Sequence, residues 1–266
     1  MRLRNIWAGT LGLALAATIA CGGGGSNQTP STESAPPAGG GQKVDAATAG
    51  DVAGVVTLDG AAPANAPIKM NADPVCVKAN STPQAQETYV VTDGKLANVF
   101  VYVKDGLGNY SYDPPTDMPQ IDQKDCRYHP HVFGMRVGQK LEIRNSDPTL
   151  HNIHALPKAN AEFNNGQPLK DMKMDHVFTA KEVMVPFKCD VHGWMNAYVG
   201  VLDHPYFATT DKDGKFSLKS LPPGTYTIEA WHEKLGTMTQ SVTVGAKESK
   251  EVNFAFKAPA GASATD

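Results

Sequence analysis

The chain has 266 residues, with 24 Lys and Arg against 27 Asp and Glu, a formal net charge of −3 and 41% hydrophobic residues. That length holds one or two domains beyond a processed leader, and a mildly acidic chain lacks the basic surface that binding to nucleic-acid phosphate demands. Past the leader, no apolar run is long enough to cross a membrane as a helix.

Arg2 and Arg4 precede residues 6–20, which are apolar or small but too short and too rich in Gly and Ala for a good spanning helix. This is the form of an export signal. Thr18-Ile19-Ala20-Cys21 resembles the lipobox of bacterial lipoproteins. The resemblance implies cleavage after residue 20, lipid attachment to Cys21, and a membrane-anchored protein facing the periplasm or cell surface. Residues 21–50, rich in Gly, Ser, Pro, Ala and Thr, read as a flexible tether. An exported chain meets an oxidising compartment, where Cys76 and Cys126 are the natural disulfide pair. Cys189 is then left over, and an unpaired thiol outside the cytoplasm calls for a reason.

From Val52 onward the pattern is β. Val55-Val56-Thr57-Leu58 ends in the Asp59-Gly60 turn signal, and Val99–Val103 is a dense run of β-formers. Residues 132–144 alternate in polarity around a Gly138-Gln139 turn. Further runs cover 183–187, 197–202, 215–218, 225–231, 240–244 and 251–256. No long stretch carries an apolar period of 3.6 residues with caps, so helices should be few and short. Many short strands with Gly, Pro and Asp turns predict an all-β chain built from β-sandwiches. Asp211 and Asp213 lack the remaining acidic ligands of a calcium loop and read as a hairpin turn.

The chemistry concentrates between Asn145 and Val201. His151 follows Asn145-Ser146-Asp147-Pro148-Thr149-Leu150, and Cys189-Asp190-Val191-His192-Gly193-Trp194-Met195 sets a Cys-x2-His-x2-Met spacing between two β runs. One thiolate, two imidazoles and a thioether suit copper in both of its common oxidation states. A loop pinned at both ends by a sheet can deliver three of these donors, and the fourth must arrive from elsewhere on the scaffold.

These residues resemble cupredoxins, amicyanin-like ones above all, through Leu150-His151-Asn152-Ile153-His154 after a strand ending in Asn145 and through the Cys-x2-His-x2-Met loop. The likeness covers roughly residues 120–202 and implies one mononuclear type 1 copper site with ligands His151, Cys189, His192 and Met195. It further implies a Greek-key sandwich, an Asn152 that braces the ligand loop, and a His192 ring edge that serves as the electron port. Met195 also suits plain core packing, and His154 is an alternative to His151. Asp190 departs from the family pattern and places a carboxylate near the thiolate, which should lower the potential, subject to screening by solvent. Gly193 stands where a proline is common. Trp194 either lines the port or plugs the core.

His129 and His131 alternate and read as an exposed strand edge, with an accessory metal site as the alternative. His176, His204 and His232 default to structural or surface roles, and Met172 and Met174 to gap-filling. Thr209-Thr210-Asp211-x-Asp213-Gly214-x-Phe216 and Leu221-Pro222-Pro223-Gly224-Thr225-Tyr226 resemble the carboxypeptidase regulatory-like, transthyretin-like β-sandwich module. The expected division is therefore a leader over 1–20, the tether over 21–50, a cupredoxin-like domain with an N-terminal extension over 51–202, the module over 203–257 and a tail over 258–266. The module is short for a whole sandwich, and Val55–Ala61 with Asn98–Asp105 resemble its missing opening strands.

The function expected is electron transfer with a redox partner protein, not catalysis. Glycan binding or adhesion through the module, and copper delivery or storage, are the alternatives. A catalytic Cys189–His192 pair lacks a visible activating residue, and an oxidase lacks a second histidine set.

Overall fold

The computed structural model describes residues 40–260. The leader, Cys21, the tether as far as residue 39 and residues 261–266 lie outside the described residues. No described helix is long and apolar enough to cross a membrane.

The described chain is all-β apart from one short helix, Pro74–Ala79. The first sandwich has a four-stranded sheet in the order Arg127–His129, Gln120–Lys124, Lys140–Asn145, Lys173–Val177. Facing it is a five-stranded sheet in the order Val132–Arg136, Asn196–Leu202, Glu182–Lys188, His151–Ala155, Phe163–Gln167. Alternation decides which side chains enter the core. Along Lys140–Asn145, Leu141, Ile143 and Asn145 point in, while Glu142 and Arg144 point out. Ile121, Met135, Phe178, Val185, Phe187 and Val199 complete the apolar interior. Lys140–Asn145 runs parallel to Gln120–Lys124, and Val132–Arg136 runs parallel to Asn196–Leu202, so the connections must cross between the sheets.

The second sandwich pairs Phe207–Thr209, Phe100–Asp105, Gly224–His232 and Gly236–Val244 in one sheet. Its other sheet places Gly50–Asp59 between Lys215–Leu221 and Lys95–Leu96, with Ser249–Glu251 and Phe254–Lys257 also pairing to Gly50–Asp59. This corrects the contiguous 51–202 and 203–257 division. The C-terminal stretch cannot cover its own apolar faces, and the Val-rich strands ahead of the first sandwich do so: Val52 lies opposite Leu218, and Val103 opposite Ile228. The tether is also shorter than expected, because Gln42–Lys43 pairs with Tyr110–Ser111 and Gly50 already belongs to a strand. Asp211 accepts hydrogen bonds at 2.9 Å from the Asp213 and Lys215 backbone N–H groups, which makes this segment a turn.

The two sandwiches meet through Phe100, Tyr102, Val132 and Leu202, with Tyr198, Phe207 and Trp231 packed around them. Glycines make the approach possible. A Cβ on Gly134 would stand 2.4 Å from the Phe207 ring, and one on Gly200 2.3 Å from the Phe100 ring. His131, expected at an exposed edge, is buried here and hydrogen-bonded to Glu233 at 2.5 Å, because its strand starts beside the second sandwich; His129 stays exposed.

Candidate metal centre

Asn145 ends its strand with a fully buried amide that shapes the next loop. Its Nδ2 donates to the carbonyls of Thr149 (2.9 Å) and Gln167 (2.8 Å), and its Oδ1 accepts the Asp147 N–H at 2.9 Å. The chain therefore re-enters the opposite sheet at His151, the first residue of His151–Ala155. Cys189 directly follows Glu182–Lys188, and Asn196 opens the return strand. The intervening loop closes on itself: Cys189 N–H donates to the Met195 carbonyl (3.2 Å), Met195 N–H to the His192 carbonyl (2.9 Å), and His192 N–H to the Cys189 sulfur (3.3 Å). Asn152 Oδ1 accepts from the Asp190 N–H at 2.7 Å and from the Cys189 thiol at 3.2 Å, so it holds the loop from the neighbouring strand.

The structure brings three of the four expected ligands together. One donor atom each from His151, Cys189 and His192 lies within 4.8 Å of the others, and all three residues are buried. The two Nδ1 atoms stand 2.9 Å apart, and Cys189 Sγ is 4.0 Å from His192 Nδ1. Met195 is buried in the same apolar cluster as Cys189. His154 is outside the group, held by Glu162 and Asp190, each at 2.8 Å.

Each imidazole is turned by a carboxylate that sequence reasoning missed. Asp147 Oδ2 lies 2.9 Å from His151 Nε2, and Asp73 Oδ2 lies 3.0 Å from His192 Nε2. An ionised carboxylate only accepts, so each Nε2 carries a hydrogen and each Nδ1 is turned inward toward the other ring. The two Nδ1 atoms, 2.9 Å apart, can share one proton between the rings or face one cation together. Burial raises the Cys189 thiol, but the His151 and His192 rings and backbone N–H groups outweigh it and bring the thiol down to about 6. Thiolate is thus available near neutral pH. Burial pulls His151 down, yet Asp147 and Cys189 win and its pKa is raised.

This donor set fits copper: a thiolate and two imidazole nitrogens converge at a buried point, with a buried methionine closing the loop. Two other groupings, Asp73 with Cys76 and His192, and Cys126 with Asp147 and His151, depend on sulfurs already consumed in the Cys76–Cys126 disulfide.

His192 does not present a free ring edge, which corrects the expected port. It is 3% exposed, with the Cys76 sulfur 3.7 Å from Nε2 and the Trp194 ring centred 5.0 Å away. The cause is the segment around Pro74–Ala79, which lies over it. Trp194 packs beside the disulfide and donates its indole N–H to the Cys126 carbonyl at 3.0 Å. Asp190 is likewise spoken for: Lys188 and His154 take its two oxygens at 2.8 Å each, so its charge is met locally. The signals for the missed carboxylates are faint. Asp147 sits four residues ahead of His151, and Asp73 is visible only as a helix-capping Asp before Pro74, near a cysteine.

With this geometry in place, comparison with known proteins gives the following. Residues 195–257 match the carboxypeptidase regulatory-like domain family. That match omits the strands Gly50–Asp59 and Phe100–Asp105, which pair with it here. No curated protein matches the chain. Among solved structures, the chain is similar to a Cu-containing nitrite reductase (NirK) from Thermus scotoductus SA-01, at 17% identity and a TM-score of 0.31, over 37% of this chain and 24% of that one. The chain thus spans about a quarter of the reductase's length. It is also similar to a Cu(I) mutant of amicyanin, at 19% identity and a TM-score of 0.29, over 34% of this chain and 86% of that one. A novel purple cupredoxin from Nitrosopumilus maritimus is similar at 24% identity and a TM-score of 0.27, over 31% of this chain and 98% of that one.

Proposed function

We propose that the protein holds one copper ion at His151, Cys189 and His192, with Met195 as the weak fourth ligand, and passes single electrons between protein partners outside the cytoplasm. The carrying observation is the inward convergence of two imidazole Nδ1 atoms and a low-pKa thiol at one buried point. Copper bound there supplies a one-electron couple. The protein's part is rigidity and exclusion. The His151 strand and the cross-bonded 189–195 loop fix the donors before the ion enters, Asn152 limits movement of the thiolate, and the apolar interior keeps water away. Lipid on Cys21 would hold the protein at a membrane surface, and the second sandwich, sharing an apolar seam with the first, would orient it there.

The test is one visible and paramagnetic resonance spectrum of the copper-loaded full chain. An intense charge-transfer band lost in Cys189→Ser supports the reading. A colourless complex with an ordinary paramagnetic spectrum sinks it. Mass spectrometry of the protein from its native membrane decides the lipid.

A further inference from the structure

Asp73 reaches the site from an arm that belongs to neither sheet of the first sandwich. Pro67–Ile68 pairs with Gln84–Ala85, and the helix Pro74–Ala79 lies between them in sequence, capped by Asp73. Several contacts tie this arm down. Four of them, all to the first sandwich, are the Cys76–Cys126 disulfide, Asn80 Nδ2 to the Asp125 carbonyl (3.0 Å), Arg127 Nη2 to the Ala85 carbonyl (2.7 Å) and Gln86 Nε2 to the Trp194 carbonyl (3.1 Å).

Within this frame Asp73 is fully engaged. Its Oδ1 accepts the Val75 N–H at 2.7 Å and the Cys76 N–H at 3.4 Å, and its Oδ2 takes the Thr149 hydroxyl at 2.8 Å and faces His192 Nε2 at 3.0 Å. Asp147 repeats the arrangement on the other ring. Its Oδ2 accepts the Cys126 N–H at 2.8 Å and faces His151 Nε2 at 2.9 Å. Each cysteine of the disulfide therefore braces one carboxylate, and each carboxylate turns one imidazole. Thr149 adds a further link, since it lies in the loop leading to His151.

We propose that Asp73, delivered by this disulfide-clamped arm, is a positioning residue for His192: it locks Nδ1 inward, biases bound copper toward Cu(II), and shuts the outer ring edge away from a partner. The proposal rests on the copper reading above. A carboxylate accepting the Nε2–H makes the imidazole a stronger donor, and the more highly charged ion gains more from that donor. His192 is buried and Asp73 is partly buried, its side chain 17% exposed, so solvent screens the pair only in part. A merely structural cap would leave both the tautomer and the copper preference untouched.

The experiment has two arms. Asp73→Asn keeps a good helix cap while removing the charge. In the copper-loaded full chain, the ratio of Cu(II) to Cu(I) affinity should fall about tenfold, which is about 59 mV upward for a one-electron couple, with the charge-transfer band retained. An unchanged potential overturns the proposal. The second arm uses metal-free protein. Nitrogen-15 spectra of wild type should show His192 with its hydrogen on Nε2, and Asp73→Ala should lose that preference and speed modification of His192 by diethylpyrocarbonate. A wild-type His192 protonated on Nδ1 alone, or equal modification rates, overturns the proposal without reference to copper. A wild type that gives no charge-transfer band sinks the electron-carrier reading instead, and the metal-free arm still judges Asp73.

Discussion

Gly200 packs directly against the Phe100 ring: a Cβ there would come within 2.3 Å of it. The seam between the sandwiches is set by a missing side chain, so it should be intolerant of the smallest addition. Gly200→Ala should destabilise the protein by about 1–3 kcal/mol, the usual range for overpacking a close-packed site. Denaturant unfolding checks this, and a variant as stable as wild type would show that the seam is loose.

His204 gives the protein an acid limit. Burial holds its pKa down at about 4, against about 6.5 for an unperturbed histidine. The unfolded chain therefore takes up a proton on this residue between about pH 6.5 and pH 4 while the folded chain does not. Its contribution is fully present above about pH 6.5 and is lost as the pH falls toward 4, amounting to at most about 3 kcal/mol. His232 and His176 are also lowered by burial and act in the same direction. His204→Leu should flatten the fall in unfolding free energy over this window. An unchanged pH profile would remove His204 as the cause.

Asn145 shapes the loop ahead of His151 with three hydrogen bonds from a fully buried amide. Asn145→Ala leaves buried carbonyls and an N–H unmatched, at a cost of about 2–3 kcal/mol. The same change should weaken copper binding about tenfold, because the first imidazole loses its support. Unfolding and metal-competition titrations read the two effects separately. Loss of stability with full copper affinity would confine Asn145 to folding.

The Cys76–Cys126 bridge closes a loop with a sequence separation of 50. Chain entropy puts its contribution at about 4 kcal/mol. Cys76→Ser with Cys126→Ser should lower the thermal midpoint by several degrees and raise the copper reduction potential in the same direction as Asp73→Asn, since the arm is then less firmly held. A fall in the midpoint with no change in potential would separate the arm's anchoring from the site.

The ligand loop was legible because its spacing is local: three donors fall within seven residues, and β runs flank them on both sides. His151 was legible through a second short pattern. Asp73 was not, because nothing periodic links a helix cap to an imidazole 119 positions away. His131 misled because strand alternation gives a side but not its neighbour, and Glu233 comes from the other sandwich. The strands of the second sandwich could be recognised individually, and Val55–Ala61 with Asn98–Asp105 could be assigned to it by resemblance, as the pairing bears out, whereas their register could not be read from any contiguous window, since pairing in such sheets is non-local.

The strand Gly50–Asp59 pairs Val56 with Phe254, across nearly the whole described chain. During synthesis this Val-rich segment meets Lys95–Leu96 early, but its other mates, Lys215–Leu221, Ser249–Glu251 and Phe254–Lys257, come only after every residue of the metal-bearing sandwich. Until residue 257 is made, an apolar edge stands open to association with other chains. Assembly of the second sandwich is therefore the late event, and the nascent polypeptide depends on being shielded, or on rapid completion, to reach it.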